Sequence, residues 1–363
     1  MTTWVPDVLG TGFEQLTLDL PSGEVATLVR YDGGIQDWNV PELAGVDVLY
    51  LHGWSDYFFQ RELAEFWHRA GARFFAVDLR HYGRSLRPGS TPGFITRLDE
   101  YDEEITAALA AMGRDSASTT PLLLMGHSTG GLTATLWAAR HPQQVDALVL
   151  NSPWLEFQGR DIGRAMMAPL MHAGSWLRPA ASLPTIDPGI YTRAVSSRFD
   201  GEWDYDLAWR PERGFRLTRS FLNAVFEGQA TVARGLDLEI PVLVMLSSRS
   251  YLQPRWSVEA TTADVALNVD VVAERASSLG SDVTIRRIQD GFHDIFLSPA
   301  PVRAPAYGLM GGWAQDALDS TTNELWAARI RGVEEPPALQ RSAWKNFVAG
   351  IRELVHDAGN GRR

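Results

Sequence analysis

The chain has 363 residues, 45% hydrophobic and 21% charged, which is a globular composition and excludes a fibre, a coiled coil or a disordered tail protein. Its net charge of −11 argues against nucleic acid or an anionic membrane as the main partner, because both need a basic surface. There is no cysteine, so disulfides, Cys-containing zinc sites and thiol catalysis are excluded. Met1 to Gly10 has no basic stretch and no apolar run, and nowhere do eighteen apolar residues follow one another. Neither a signal peptide nor a membrane span is therefore expected, and the default location is cytoplasmic.

In chain order, Phe13 to Leu20 alternates like an edge strand, Pro21-Ser-Gly turns, and Glu24 to Arg30 completes a hairpin. Val46 to Leu51 is a short apolar strand ending at His52-Gly53. Glu62 to Ala70 has helical spacing and stops at Gly71. Arg73 to Leu79 reads as a strand, Leu98 to Met112 as a helix, Pro121 to Met125 as a strand, Leu132 to Arg140 as a helix and Val145 to Leu150 as a strand. Near-continuous apolar strands alternating with helices imply a mostly parallel sheet covered on both faces.

From Trp154 to Asp237 no buried-strand run appears, and apolar residues recur at helical spacing in Ile162 to Met171 and Phe215 to Phe226. That stretch reads as a helical insertion. The sheet resumes at Ile240 to Leu246, followed by a helix over Val271 to Leu279 and a last strand over Val283 to Ile288. After Leu297 no strand signal appears, and Leu339 to Leu354 suggests one more amphipathic helix.

The strongest chemical signal is Gly126-His-Ser-Thr-Gly130, a G-x-S-x-G pentapeptide between a strand and a helix. That is the context of a nucleophile elbow, in which a strained turn projects the serine hydroxyl from the sheet. Glycines on both sides let strand and helix approach closely. His52-Gly53-Trp54 closes an earlier strand, where a second backbone N–H is needed for an oxyanion hole. Trp54 and Thr129 are the expected donors, and His52 reads as a loop-holding residue rather than a base.

Leu51-His-Gly-Trp, Asp78-Leu-Arg-His-Tyr-Gly-Arg-Ser, Gly126-His-Ser-Thr-Gly-Gly and Asp290-Gly-Phe-His-Asp together resemble an α/β-hydrolase. Within that superfamily the chain is similar to the branch containing monoacylglycerol lipases and serine aminopeptidase-like hydrolases. The resemblance covers about Phe13 to Trp313, and residues beyond about Asp319 match nothing in the pattern. It implies an α/β fold with a central sheet flanked by helices and a lid insertion. The corresponding boundaries are 1–153 for the first part of the core, 154–237 for the helical lid, 238–319 for the second part and 320–363 for a C-terminal helical extension.

In this fold the acid and then the histidine follow the serine in the chain. Of eight histidines only His293 and His356 lie after Asp237, and His293 follows the last strand, where the family places its base. The usual acid position, just past the strand ending at Leu246, reads Ser247-Ser-Arg-Ser250 and holds no carboxylate. Asp264, 29 residues ahead of His293, is the leading candidate, with Arg249 to Thr262 as an insertion before it. Asp270 is an alternative whose ordinary role is to cap the helix at Val271. Glu259, or an acid after the strand ending at Leu150, is a further alternative. Asp294 reads as a cap.

The resemblance implies acyl transfer by Ser128, His293 and Asp264 on a small-molecule ester, with no metal or organic cofactor. Met167 and Met171 in the insertion and Tyr57 and Phe58 beside the oxyanion loop are candidate substrate-binding residues, with packing as the competing role for each. A peptidase would instead need lid carboxylates for a substrate ammonium, and Asp161, Asp200, Glu202 and Asp204 are available. A third reading is a non-catalytic binding module. The C-terminal extension either packs on the core or forms a homodimer contact.

Overall fold

The computed structural model describes residues 3–34, 43–115, 118–157, 180–183 and 188–332, with side chains up to 318. Among them nine strands form one sheet in the order β1-β2-β3-β5-β4-β6-β7-β8-β9. β1 (Val5–Pro6), β2 (Phe13–Asp19) and β3 (Val25–Tyr31) are antiparallel, and β3 meets β5 (Arg73–Asp78) antiparallel. β4 (Asp47–Leu51), β6 (Leu122–His127), β7 (Ala147–Asn151), β8 (Val242–Ser247) and β9 (Val283–Ile288) continue it in parallel from β5.

Every residue of β4, β6, β7 and β8 is buried. Such strands carry apolar side chains on both faces because helices cover both. The covering helices are α1 (Arg61–Arg69), α2 (Asp102–Ala111), α3 (Thr129–Arg140) and, later in the chain, α6 (Val269–Ala276). Asn268, not Asp270, caps α6, its side-chain oxygen accepting from the amides of Asp270 and Val271. Asp270 instead pairs with Arg287 at 2.7 Å on the surface.

Between β7 and β8 the described residues form two helices, α4 (Ile190–Val195) and α5 (Arg219–Ala233), and otherwise irregular chain with isolated bridges. The expected helix around Ile162 to Met171 lies outside the described residues. α5 starts at Thr218, whose hydroxyl accepts from the Phe221 amide, so Phe215 and Leu217 precede the helix rather than belonging to it.

By its internal contacts the chain divides into two units, Met1–Ala317 and Leu318–Arg363. Helix α7 (Ala300–Gly332) carries the chain across that boundary. Pro301, Pro305 and the glycines at 308, 311 and 312 hide its helical pattern. Pro301 sits in the first turn, where a missing N–H costs nothing. Tyr307 holds the start of α7 by stacking on Phe66 at 5.0 Å, and Arg303 pairs with Glu62 and Glu202. The helix expected over Leu339 to Leu354 lies outside the described residues. No helix among the described residues is long and apolar enough to cross a membrane.

Candidate active site

The site stands at the C-terminal ends of β4, β6 and β8, where the parallel strands open toward the insertion. Ser128 sits between β6 and α3 with φ 52° and ψ −116°, a left-handed conformation that costs energy in any residue but glycine. Three main-chain bonds hold it there. Its amide donates to Asn151 O at 3.0 Å, and its carbonyl accepts from Leu132 N at 3.1 Å and Trp154 N at 2.9 Å. The flanking glycines are required by contact. A Cβ at Gly126 would lie 2.5 Å from Gly130 O, and one at Gly130 would press on the carbonyls of Leu51 and His52.

His293 Nε2 lies 3.0 Å from Ser128 Oγ, and His293 Nδ1 lies 2.9 Å from Asp264 Oδ2. Ser128 is 9% exposed, His293 4% and Asp264 not at all. Asp264 Oδ1 accepts from the amides of Ala266 and Leu267, so the carboxylate is clamped by its own turn. The segment from Arg249 to Thr262 loops out and returns. Asp264 N donates to Arg249 O, Tyr251 N donates to Asp264 O, and Ser250 and Asp264 form a parallel bridge. The return brings Asp264 beside Ser250, at the end of β8. Asp270 is solvent-exposed on α6, and Glu259, which hydrogen-bonds Ser257, is exposed as well.

The loop after β4 closes the other side. A Cβ at Gly53 would lie 3.0 Å from Ser128 Cβ and 3.1 Å from His127 Cδ2, so a larger residue would press on the elbow and make it shift. His52 Nε2 accepts from Leu79 N at 3.1 Å, which leaves Nδ1 to donate to Gly53 O at 2.8 Å. Because a trans peptide points its C=O and N–H in opposite directions, the Trp54 N–H is turned away from His52. Burial lowers the basicity of His52 and of His127, so both are held neutral. The Thr129 amide opens α3, where helix N–H groups have no intrahelical partner.

Asp294 is the cap expected from the sequence, and Asn151 and Gln60, which carried no sequence signal of that role, join it in fixing the histidine loop. Asp294 accepts from Asn151 Nδ2 at 2.6 Å, from Gln60 Nε2 at 3.1 Å and from the Phe296 amide, which it caps. Asn151 Oδ1 accepts in turn from Ile295 N. The Asp78-Leu-Arg-His-Tyr-Gly-Arg-Ser stretch lies behind the site. Asp78 binds Arg84 and the Phe58 amide, and Arg84 also pairs with Asp7.

Ser128 and His293 open into a cavity of about 500 Å³. Trp54, Trp154, Phe215, Leu217 and Leu267 give it apolar walls, and Asp56, Arg210 and Arg213 also line it. Tyr57 and Phe58 do not. Tyr57 turns into a cluster with Phe59, Tyr205 and the insertion, and Phe58 is fully buried against Tyr50 and Phe74. The chain turns inward after Trp54, and both aromatic residues are buried in the protein, which corrects their expected substrate role. Met167 and Met171 lie outside the described residues. Asp200 pairs with Arg193 and Glu202 with Arg303; neither these nor Asp204 lines the cavity, and Asp161 lies outside the described residues. Among the described residues no cluster of acidic or histidine side chains could hold a metal ion.

The family described as serine aminopeptidase, S33, matches residues 46–299. A monoacylglycerol lipase of Mycolicibacterium smegmatis is 29% identical over 258 residues, covering 70% of this chain and 83% of that protein. Lipase LipV of Mycobacterium tuberculosis is 28% identical over 47% of this chain, and phospholipase YtpA of Bacillus subtilis 33% over 48%. Those two matches span 62% and 59% of the relatives' own lengths. In structure, a soluble variant of monoglyceride lipase from Saccharomyces cerevisiae superimposes with a TM-score of 0.59 at 15% identity, over 87% of this chain and 99% of that one.

Proposed function

The chain belongs to the serine aminopeptidase, S33, family of α/β-hydrolases, in its monoacylglycerol-lipase-like branch, and from that membership and the site geometry we propose that it hydrolyses carboxylic esters of apolar acyl groups. The observation that carries the proposal is the continuous chain Ser128 Oγ, His293 Nε2, His293 Nδ1, Asp264 Oδ2, with links of 3.0 and 2.9 Å, opening on an apolar cavity.

Ser128 Oγ attacks the ester carbonyl while His293 Nε2 takes its proton. Asp264, accepting from Nδ1, holds the imidazole tautomer and stabilises the imidazolium. The Trp54 and Thr129 amides hold the oxyanion. As the tetrahedral adduct collapses, His293 gives its proton to the departing alkoxide, leaving an acyl-serine. Water then attacks the acyl carbon, His293 takes the water's proton, and the acid leaves as Ser128 regains its hydrogen. The insertion 154–237 acts as a lid, since residues 188–217 supply one wall of the cavity.

A peptidase has less support, because among the described residues the one carboxylate lining the cavity, Asp56, is paired with Arg210 at 3.1 Å. A binding module would not need the strained Ser128 turn. The test is a panel of p-nitrophenyl esters of rising acyl length, monoacylglycerols and aminoacyl arylamides, run beside Ser128→Ala. Ester turnover peaking at one chain length and lost in the variant is expected. Arylamide turnover without ester preference supports the peptidase instead.

A further inference from the structure

The oxyanion loop has a weakness that the rest of the site lacks. Among the described residues, 53–57 make no backbone–backbone hydrogen bond. Ser55, the residue after the proposed donor Trp54, also sits at φ 52°. A loop so built relaxes unless side chains over-determine it.

Those side chains all reach the same place. The Phe215 amide donates to Ser55 Oγ at 2.8 Å. Asp56 pairs with Arg210 at 3.1 Å, both almost fully buried. The Asp206 amide donates to Tyr57 Oη at 2.9 Å. Three consecutive residues of the loop are thus tied to one short stretch of the insertion, 206–215. That stretch is folded on itself: Arg210 N donates to Asp206 O at 2.9 Å, and Gly214 N to Pro211 O at 2.9 Å. Arg210 is further fixed by the faces of Tyr205 and Tyr191, at 4.6 and 4.9 Å. Trp209 meets Tyr57 edge-on at 5.1 Å.

We propose that residues 206–215 are a strap that sets the oxyanion loop, with Ser55, Tyr57 and the Asp56–Arg210 pair as positioning residues acting through the Trp54 amide. The proposal rests on the ester-hydrolase reading above. His52 fixes the loop from the core side and the strap from the insertion side. The insertion then contributes to transition-state stabilisation as well as to the cavity wall.

Removing one oxyanion-hole donor costs about 10²–10³ in kcat, so misplacing one costs less, roughly 10–100-fold. The test uses Ser55→Ala, Tyr57→Phe and the double variant, which delete the two acceptors and leave the buried ion pair intact. The readouts are kcat and KM on a p-nitrophenyl ester and Ki for an alkylboronic acid, which adds to the serine and places an oxygen in the hole. The double variant should lose roughly 10–100-fold in kcat with KM within about threefold, and its boronate Ki should rise in step. Wild-type kcat with a lowered Tm makes the strap mere packing and overturns the proposal. A raised KM at constant kcat overturns it too, because the strap then shapes only the pocket. If the double variant does not fold, isosteric Tyr57→Phe is read alone, with hydrogen exchange of the 53–58 peptide. Faster exchange with lower kcat supports the strap, and unchanged values for both overturn it. Full activity in Ser128→Ala instead removes the ester-hydrolase reading and the strap with it, whereas failure of the strap leaves the Ser128→Ala loss intact.

Discussion

The turn around Ser128 and the loop leading to Asp264 meet the same requirement by opposite means. The first is held by backbone packed on backbone. β6 runs directly into α3, and glycines at 126 and 130 sit where a Cβ would strike carbonyl oxygens. The second leaves β8 at Ser247, wanders through a short 3-10 turn at Val258–Thr262, and returns so that Asp264 bridges Ser250. The difference follows from what each residue would supply in the proposed mechanism. A nucleophile needs a strained backbone and a precise direction, which only a particular string of residues allows. An acid needs one oxygen near an imidazole nitrogen, and any loop that ends beside the strand can deliver it.

Ser128→Ala tests the rigid half most severely. Turnover of the best ester should fall on the order of 10⁶-fold with folding intact, as steady-state kinetics and a thermal melt would show. Retained turnover breaks the comparison at its root. Asp264→Asn tests the wandering half. The amide keeps its oxygen on the Ala266 and Leu267 N–H groups and turns an NH₂ toward His293, which selects the wrong tautomer and should cost about 10⁴ in kcat. Asp270→Asn, on the exposed face of α6, should leave kcat unchanged. The reverse pattern would move the acid to α6.

Smaller effects sharpen the contrast in stability. Gly130→Ala should destabilise the fold by about 1–3 kcal/mol, read from the urea midpoint, because neither backbone can yield. Ser250→Ala, which removes only an acceptor from the Val269 amide at the acid loop, should cost about 1 kcal/mol.

The smallest effect is in acid. Burial holds the basicity of His127 below its ordinary value of 6.5 in the fold, so the unfolded chain binds the proton more readily. His127 therefore contributes stability that is present above about pH 6.5 and lost as pH falls toward the folded value. Between pH 7 and 5.5 the wild type should lose more Tm than His127→Gln, and equal losses would mean that His127 is not held neutral.

Much of this was legible along the chain, and the reason is local. Apolar runs such as Leu122 to Met125 and Ala147 to Leu150 declare strands covered on both faces, and the Gly126–Gly130 pentapeptide states its own turn. The unreadable parts depend on residues far apart. Helix α7 was masked because Pro301 and Pro305 punctuate a sequence whose helix is held by packing on Phe66. The cap of α6 is Asn268 rather than Asp270, a two-residue ambiguity resolved by the Asn268 side chain accepting from the Asp270 and Val271 amides while Asp270 pairs with Arg287. An aromatic run beside a site gives no sign of which way it turns, so the sequence leaves Tyr57 and Phe58 open between substrate and packing, and the structure packs both inside.

The sequence by itself determined the alternation of strand and helix, the elbow and the order in which its candidate partners follow, since these depend on neighbours in the chain. Only the tertiary structure decided that Asp264 comes back beside β8, that Asn151 and Gln60 grip Asp294, and that three residues of the loop after β4 are tied to the insertion. Each of those is a hydrogen bond or ion pair between segments far apart in the chain. Such pairings leave no period and no motif, because one donor and one acceptor suffice and many residue types can provide them.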